Sequence, residues 1–239
     1  MPLTRHDAFI VGFTDGTVRP QETTTRAHAA TILFRLSSDE ERTRLWRQDN
    51  PFTDVELDNW FNNAISTMAN AGVITGMPDG RFQPGRSITR AELVAAIIRF
   101  KGLEQSTGTP MFNDIADHWA MGYINTAAHQ GWATGYDGAG GSFLPDQAIT
   151  RAETAALINR MLNRLPEDKS DLLDNMIRWP DNNNPSAWYY LYIQEATNSH
   201  YYVRKADGIH ETWVEMLEPR QWTLLERPHS RPEDILRGR

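Results

Sequence analysis

Apolar positions recur along this chain at helical spacing in short blocks, separated by turn-forming residues rather than by long apolar runs. Over 60–71, Trp60, Ala64, Ile65, Met68 and Ala71 fall on one helix face. Asp58 or Asn59 is placed to cap its start, and Gly72 suits the left-handed position after its end. A short extended piece follows, Val73 to Gly76. Pro78-Asp79-Gly80 then has the chemistry of a tight turn, because Pro presets φ, Asp bonds the backbone beyond it and Gly accepts φ > 0. Ile88-Thr89-Arg90-Ala91-Glu92 opens a second helix as a capping box, with Ile88 against Leu93 as a staple. Leu93, Val94, Ile97, Ile98 and Phe100 supply its buried stripe. The unit is helix–loop–helix, and each helix has one apolar face that the unit cannot bury alone.

This block repeats. Asp-Gly, a Pro and Thr-Arg-Ala recur as Asp15-Gly16…Pro20…Thr25-Arg26-Ala27, Asp79-Gly80…Pro84…Thr89-Arg90-Ala91 and Asp137-Gly138…Pro145…Thr150-Arg151-Ala152. The arginines lie 64 and 61 residues apart. An alternating element, aromatic-x-Asp followed by Trp, recurs as Phe52…Asp54…Trp60, Phe112…Asp114…Trp119 and Trp179…Asp181…Trp188. The phase is circularly offset. The chain opens with a second half-unit and closes its repeats with a first half-unit, so each is the other's natural complement if the chain closes on itself. Thr150…Glu153 repeats the capping box, with Ala156, Leu157, Met161 and Leu162 behind it, whereas Thr25 is followed by His28 instead of Glu.

The pattern predicts a mainly α fold, with three helix–loop–helix units in a pseudo-three-fold bundle and a small C-terminal β-hairpin. Its segments are a partial first unit and linker helix (1–50), a unit (51–108), a unit and linker helix (109–178) and a degenerate half-unit (179–199). A hairpin (200–217) and an irregular tail (218–239) follow. The first linker helix starts at the Ser38…Glu41 capping box, and Asp168 and Ser170 are placed to start the second. Asp207-Gly208 between β-prone runs is the signal for a type I′ turn.

Composition narrows the function. The 239 residues carry 24 basic and 31 acidic side chains, a formal net charge of −7, and no Cys. There is then no disulfide framework, thiolate zinc site or thiol nucleophile. The acidic balance argues against duplex nucleic acid. A mean hydropathy of −0.56 without a long apolar run argues against membrane insertion. The N-terminus shows no basic stretch followed by an apolar one. No P-loop, His-Glu-x-x-His or nucleophile motif occurs, and the acidic residues sit in caps and turns, so no catalysis and no cofactor are expected. The Asp-Gly loops lack the ligand spacing of a calcium loop.

The Phe-x-Asp…Trp start, the Gly76-Met-Pro-Asp79-Gly80-Arg-Phe82-Gln-Pro84 loop and the Ile88-Thr-Arg-Ala-Glu92 helix start resemble the S-layer homology family. The resemblance spans about residues 9–165 and, less closely, 179–198. It implies a three-fold spindle whose grooves bind secondary cell-wall polysaccharide through a pyruvylated amino sugar at its terminus. The implied ligand groups are Arg26, Arg90 and Arg151; Asp54 and Asp114; Trp60, Trp119 and Trp188; and Gly12, Gly76 and Gly135. The chain departs from the family at His28, at Met77 (usually aromatic) and in the longer loop at Ala139-Gly-Gly-Ser142. The Arg90 site reads as the most intact.

Each residue also has a plainer reading. An Arg just inside a helix start opposes the helix dipole, which suits an anion pocket beside free amides, or pairing with a neighbouring unit's Asp. Asp54 and Asp114 read equally as simple caps, and Trp60 and Trp119 read first as core. The expected protein is a monomeric, non-catalytic wall anchor at the bacterial cell surface. It would be the anchoring end of a larger exported protein with cargo domains, or a virus-borne copy. The alternative is a structural or assembly module without glycan recognition.

Overall fold

The structure, a computed structural model, describes residues 3–136, 140–226, 230–231 and 233. Asp137-Gly138 of the third repeat and Ala139 of the longer loop lie outside the described residues, as do parts of the tail. The chain forms two compact units, residues 1–22 with 150–220 and residues 23–149 with 221–239.

The second unit holds helices α1 (Arg26–Leu36), α2 (Asp39–Leu45), α3 (Asn62–Asn70), α4 (Arg90–Phe100), α5 (Met121–His129) and α8 (Trp222–Glu226). Helix α1 packs on α3 and α4, and α4 packs on α5. Phe34, Ile65, Met68, Leu93, Ile97 and Ile115 are fully buried between them. Capping follows the expected chemistry. Thr89 and Ser38 head complete capping boxes, and Thr25 accepts from the His28 amide. Helix α3 has no side-chain cap, because Asn59 instead closes the preceding turn by accepting from the Glu56 amide at 2.9 Å. That turn carries Trp60 outside the helix. Gly72, at φ 71°, ends α3 as its spacing predicts.

At the heart of this unit three backbone bonds form a ring. The Thr24 amide donates to the Ile149 carbonyl (2.9 Å), Ile149 to Ile88 (3.1 Å) and Ile88 to Thr24 (2.9 Å). Each residue directly precedes the Thr of a Thr-Arg-Ala element, so the ring links equivalent positions of the three copies.

The first unit holds α6 (Arg151–Leu162), α7 (Tyr190–Thr197) and strands β1 (Thr4–His6), β2 (His200–Arg204) and β3 (Glu211–Met216). Helix α6 packs on α7, with Ala152, Ala155, Ile158 and Ile193 buried. The expected hairpin forms as β2 and β3, and two other expectations need correction. The hairpin is the larger part of a three-stranded antiparallel sheet in the order β1-β2-β3, with Thr4 opposite Tyr202. A lone two-stranded hairpin is marginal, and β1 supplies the third strand. The turn is not type I′, since Gly208 has φ 72° while Asp207 is not at positive φ. Lys205 accepts from the Gly208 amide at 3.1 Å, which leaves only the glycine left-handed. The second linker is not a helix of any length. Asp168 caps a single 3-10 turn, Lys169–Asp171.

The tail is not irregular throughout. Helix α8 buries Trp222 and Leu225 in the second unit. Glu226 grips Arg35 through two bonds of 2.6 and 2.8 Å. Among the described residues no helix is long and apolar enough to cross a membrane.

Candidate functional site

The three arginines occupy one environment, repeated. Arg26 is 6% exposed, Arg90 9% and Arg151 5%. Each stands at the first position of its helix and reaches into the loop of another repeat. Arg26 donates through Nε to Phe82 O (2.7 Å) and through Nη2 to Thr75 O (2.6 Å). Arg90 does the same to Phe143 O (2.9 Å) and Thr134 O (3.4 Å). In the first unit Arg151 donates to Val18 O (2.8 Å) and Val11 O (3.1 Å). The planar guanidinium fork suits two carbonyls on one loop, which a point-charge ammonium does not. Each guanidinium therefore holds a loop backbone, and Arg26 also pairs with Glu92 of the neighbouring repeat.

The helix-start amides are also engaged. Arg26 N and Ala27 N donate to Arg86 O and Pro84 O, and Arg90 N and Ala91 N donate to Gln147 O and Pro145 O. Arg151 N and Ala152 N donate to Glu22 O and Pro20 O. The third amide of each helix is held by its capping Thr. The free-amide anion pocket expected from the dipole does not form. The cost of a cation at the positive helix end, roughly 0.3–1 kcal/mol, is offset by hydrogen bonds to charged groups, each about 1.5–3 kcal/mol.

The aspartates pin the same loops. Asp54 accepts from Phe82 N (2.7 Å) and Gln83 N (2.8 Å), and Asp114 from Phe143 N (2.9 Å) and Leu144 N (2.7 Å). In the first unit Asp181 accepts from Val18 N (3.0 Å) and Arg19 N (2.6 Å), so the last half-unit does complete the opening one. None of the three caps a helix. Each holds a non-glycine residue in the left-handed region, Gln83 at φ 59°, Leu144 at 57° and Arg19 at 51°.

The glycines make room for rings. A Cβ on Gly76 would lie 2.4 Å from Phe52 Cε1, one on Gly135 3.0 Å from Phe112, and one on Gly12 2.2 Å from Trp179. The aromatic that opens each half-unit therefore seats on its loop glycine. Gly76→Ala should cost about 1–3 kcal/mol, because the rigid Phe52 ring must move. Urea denaturation monitored by circular dichroism checks it, and Gly80→Ala is a poor control because Gly80 sits at φ 81°.

The tryptophans are not core. Trp60 is 46% exposed, and Trp119 and Trp188 are each 57%. Each is backed by other rings. Trp60 lies against His28, Trp119 against His118 and Tyr123, and Trp188 against Tyr189 and Tyr192.

Within the second unit these parts enclose a groove of about 150 Å³. Phe82, Ile74, Arg26, Glu92, Arg99 and Trp119 line it. Met77 also lines it, where the other loops carry Tyr136 and Phe13. The substitution matters locally. Arg90 is stacked between Tyr136 and Phe143, both 4.7 Å away, whereas Arg26 stacks on Phe82 at 4.5 Å and has Met77 where Arg90 has Tyr136. Burial draws the Arg26 guanidinium downward in pKa, opposed by Glu92, which it meets at 3.3 Å. Glu92 caps the helix, pairs with Arg26 and Arg86, and borders the groove.

Sequence reasoning missed Arg99. It lies nine residues after Arg90, as Arg35 lies after Arg26 and Arg160 after Arg151. Arg99 meets the Tyr123 hydroxyl at 3.0 Å and Arg160 meets Tyr192 at 3.2 Å. Aligning the repeats beyond the capping box would have found this second arginine series.

The family model of the S-layer homology domain matches residues 2–30, 51–94 and 112–155. These segments are S-layer homology domains. The matched limits follow the offset phase, with a second half first and two longer segments after it. The chain is 33% identical over 224 residues to Cell surface glycoprotein 1 of Acetivibrio thermocellus, covering 89% of this chain and 9% of that protein. It is 33% identical over 220 residues to the Cellulosome-anchoring protein of the same organism, covering 89% of this chain and 47% of that protein. It is 28% identical over 172 residues to the Surface-layer 125 kDa protein of Lysinibacillus sphaericus, covering 69% of this chain and 14% of that protein. The chain spans less than half the length of each of these relatives.

Proposed function

We propose that this S-layer homology chain is a non-catalytic anchoring module that holds its protein at the bacterial cell wall. In this reading the groove around Arg26 takes the acidic terminal sugar of a secondary cell-wall polysaccharide. The relatives named above support the anchoring role, since they are surface proteins and an anchoring protein. The observation that carries the finer reading is the pairing of buried cation and exposed ring in one groove. Arg26 and Arg99 outnumber Glu92, which leaves a local positive balance on a protein of net charge −7. Trp119 offers an indole face at the rim, the kind of surface on which the apolar face of a sugar stacks. A pyruvate ketal would bring one carboxylate, matched to a guanidinium edge.

Two consequences distinguish binding from scaffold. Trp119→Ala should leave the thermal midpoint within about 1–2 °C, because the ring is largely exposed. It should weaken binding of pyruvylated wall polysaccharide at least tenfold, as loss of a Trp anchor commonly does. Calorimetry with native and depyruvylated polysaccharide measures both halves. Equal affinity for the two polymers sinks the carboxylate reading, and unchanged affinity of Trp119→Ala sinks the groove.

A further inference from the structure

The first unit contains a cluster that the anchoring role does not use. Glu195 on α7, His200 on β2 and Glu211 on β3 are each fully buried, and one donor atom from each lies within 4.8 Å of the others. They are joined at one point because β2 follows α7 after two residues and pairs His200 beside β3. Burying two carboxylates next to each other is costly unless a cation accompanies them.

The bonds present do not account for these groups. His200 Nδ1 faces the Asn198 carbonyl at 2.9 Å, which makes Nδ1 the donor and turns the Nε2 lone pair toward the carboxylates. Nε2 lies 3.5 Å from Glu195 Oε2 and 3.4 Å from Glu211 Oε1. Both are longer than the roughly 2.7–3.2 Å of an ordinary N–H···O bond, the His200–Glu211 contact lying at its weak limit. They equal the edge of a tetrahedron with bonds of about 2.1 Å, the length of a zinc–nitrogen or zinc–oxygen bond. Glu195 Oε1 and Glu211 Oε2 have no hydrogen-bond donor among the described residues. A carbonyl that fixes the imidazole tautomer is the usual outer support of a metal-bound His.

Each of these two oxygens, Glu195 Oε1 and Glu211 Oε2, has one longer contact with a basic side chain and no hydrogen bond. Arg204 Nη1 pairs with Glu211 Oε2 at 3.6 Å, and His6 Nε2 lies 3.5 Å from Glu195 Oε1. Arg164 is spent on His6 Nδ1, and His6 Nε2 donates to the Glu195 carbonyl at 2.9 Å, so His6 packs against the cluster as a neutral ring. Trp213 donates to Glu195 Oε2 at 2.9 Å and stacks on His200 with centroids 4.0 Å apart, which fixes both groups.

We propose that Glu195, His200 and Glu211 form a buried structural site for a first-row divalent cation of the zinc class. One imidazole and two carboxylates neutralise a dication and supply three of its four donors, and one of the carboxylate oxygens without a hydrogen bond supplies the fourth. The cation would join α7 to β2 and β3, fixing the small sheet to the helical part of its own unit.

The test uses the full chain, stripped with a chelator and titrated with Co²⁺ and then Zn²⁺. We expect one equivalent bound, a visible absorption band of tetrahedral Co²⁺ that Zn²⁺ abolishes, and a thermal midpoint raised by about 5 °C with Zn²⁺ at a hundredfold excess over Kd. Glu211→Gln, close to isosteric, should lose at least a hundredfold in affinity while keeping the wild-type circular dichroism. If that variant fails to fold, the wild-type Co²⁺ spectrum decides. No stoichiometric uptake at 10 µM metal, an octahedral spectrum, or uptake unchanged in a folded Glu211→Gln protein would overturn the proposal. The first of these outcomes leaves a proton-sharing cluster in its place. Wall binding is not read in any arm, so the anchoring role stands or falls separately.

Discussion

Arg26→Ala is expected to destabilise the protein by about 3–5 kcal/mol with no polysaccharide present, because it breaks a buried charged network from one side. The guanidinium is 6% exposed and bonds Phe82 O, Thr75 O and Glu92 Oε1. Alanine strands two loop carbonyls and leaves a capping carboxylate with one less partner, and each stranded group costs about 1–3 kcal/mol. It also empties the space against Phe82. Arg26→Lys should recover less than half of the loss, since one ammonium cannot span two carbonyls and a carboxylate with the same geometry. Urea denaturation of the three proteins measures this. A midpoint for Arg26→Ala within experimental scatter of the parent would show that the arginine is held for its ligand alone. The consequence for binding experiments is direct. Weaker wall binding by an Arg26 variant mixes lost contact with lost fold, which is why Trp119 is the cleaner probe.

Asp54→Ala is expected to cost about 3 kcal/mol by a different route. The carboxylate accepts from two successive amides, Phe82 N and Gln83 N, and each such charge-assisted bond contributes roughly 1.5–3 kcal/mol. Those bonds also hold Gln83 at φ 59°, where a non-glycine residue is strained by roughly 1–2 kcal/mol. Asp54→Asn keeps one acceptor and should lose about half as much. The double variant Asp54→Ala with Gln83→Gly should be more stable than Asp54→Ala alone, because glycine removes the strain the carboxylate was restraining. If glycine at 83 gives no recovery, Asp54 acts through something other than the turn. The same experiment at Asp114 with Leu144 should give the same ordering.

Much of this could be read before any coordinates. Helix starts at Thr25, Thr89 and Thr150 were legible because an N-cap, with or without the full capping box, is a short-range event completed within four residues. The tight turns at Gly16 and Gly80 were legible for the same reason. The phase of the repeats was legible because copies of one unit can be compared with each other. Linkers and tail were read less well. The run from Pro166 to Ile177 carries a good helix start but only one 3-10 turn, since Leu172 and Met176 are drawn against the sheet. Helix α8 was missed because five residues show no period, and its stability comes from Trp222, Leu225 and the Arg35–Glu226 pair.

The site divides along the same line. The sequence by itself determined which residue types recur, Arg, Asp, Trp and Gly, and that they recur in step. It also determined that an acidic protein places one arginine per repeat just inside a helix start. It did not determine what those residues touch, because every partner lies in another half-unit tens of residues away. Tertiary structure alone decided that the arginines hold loop carbonyls, that the aspartates pin left-handed residues and that the glycines seat aromatic rings. It alone turned Trp60, Trp119 and Trp188 outward, and it alone brought Glu195, His200 and Glu211 to one buried point. Local chemistry is written within a few residues of itself, whereas exposure and long-range charge pairing exist only once the chain has closed.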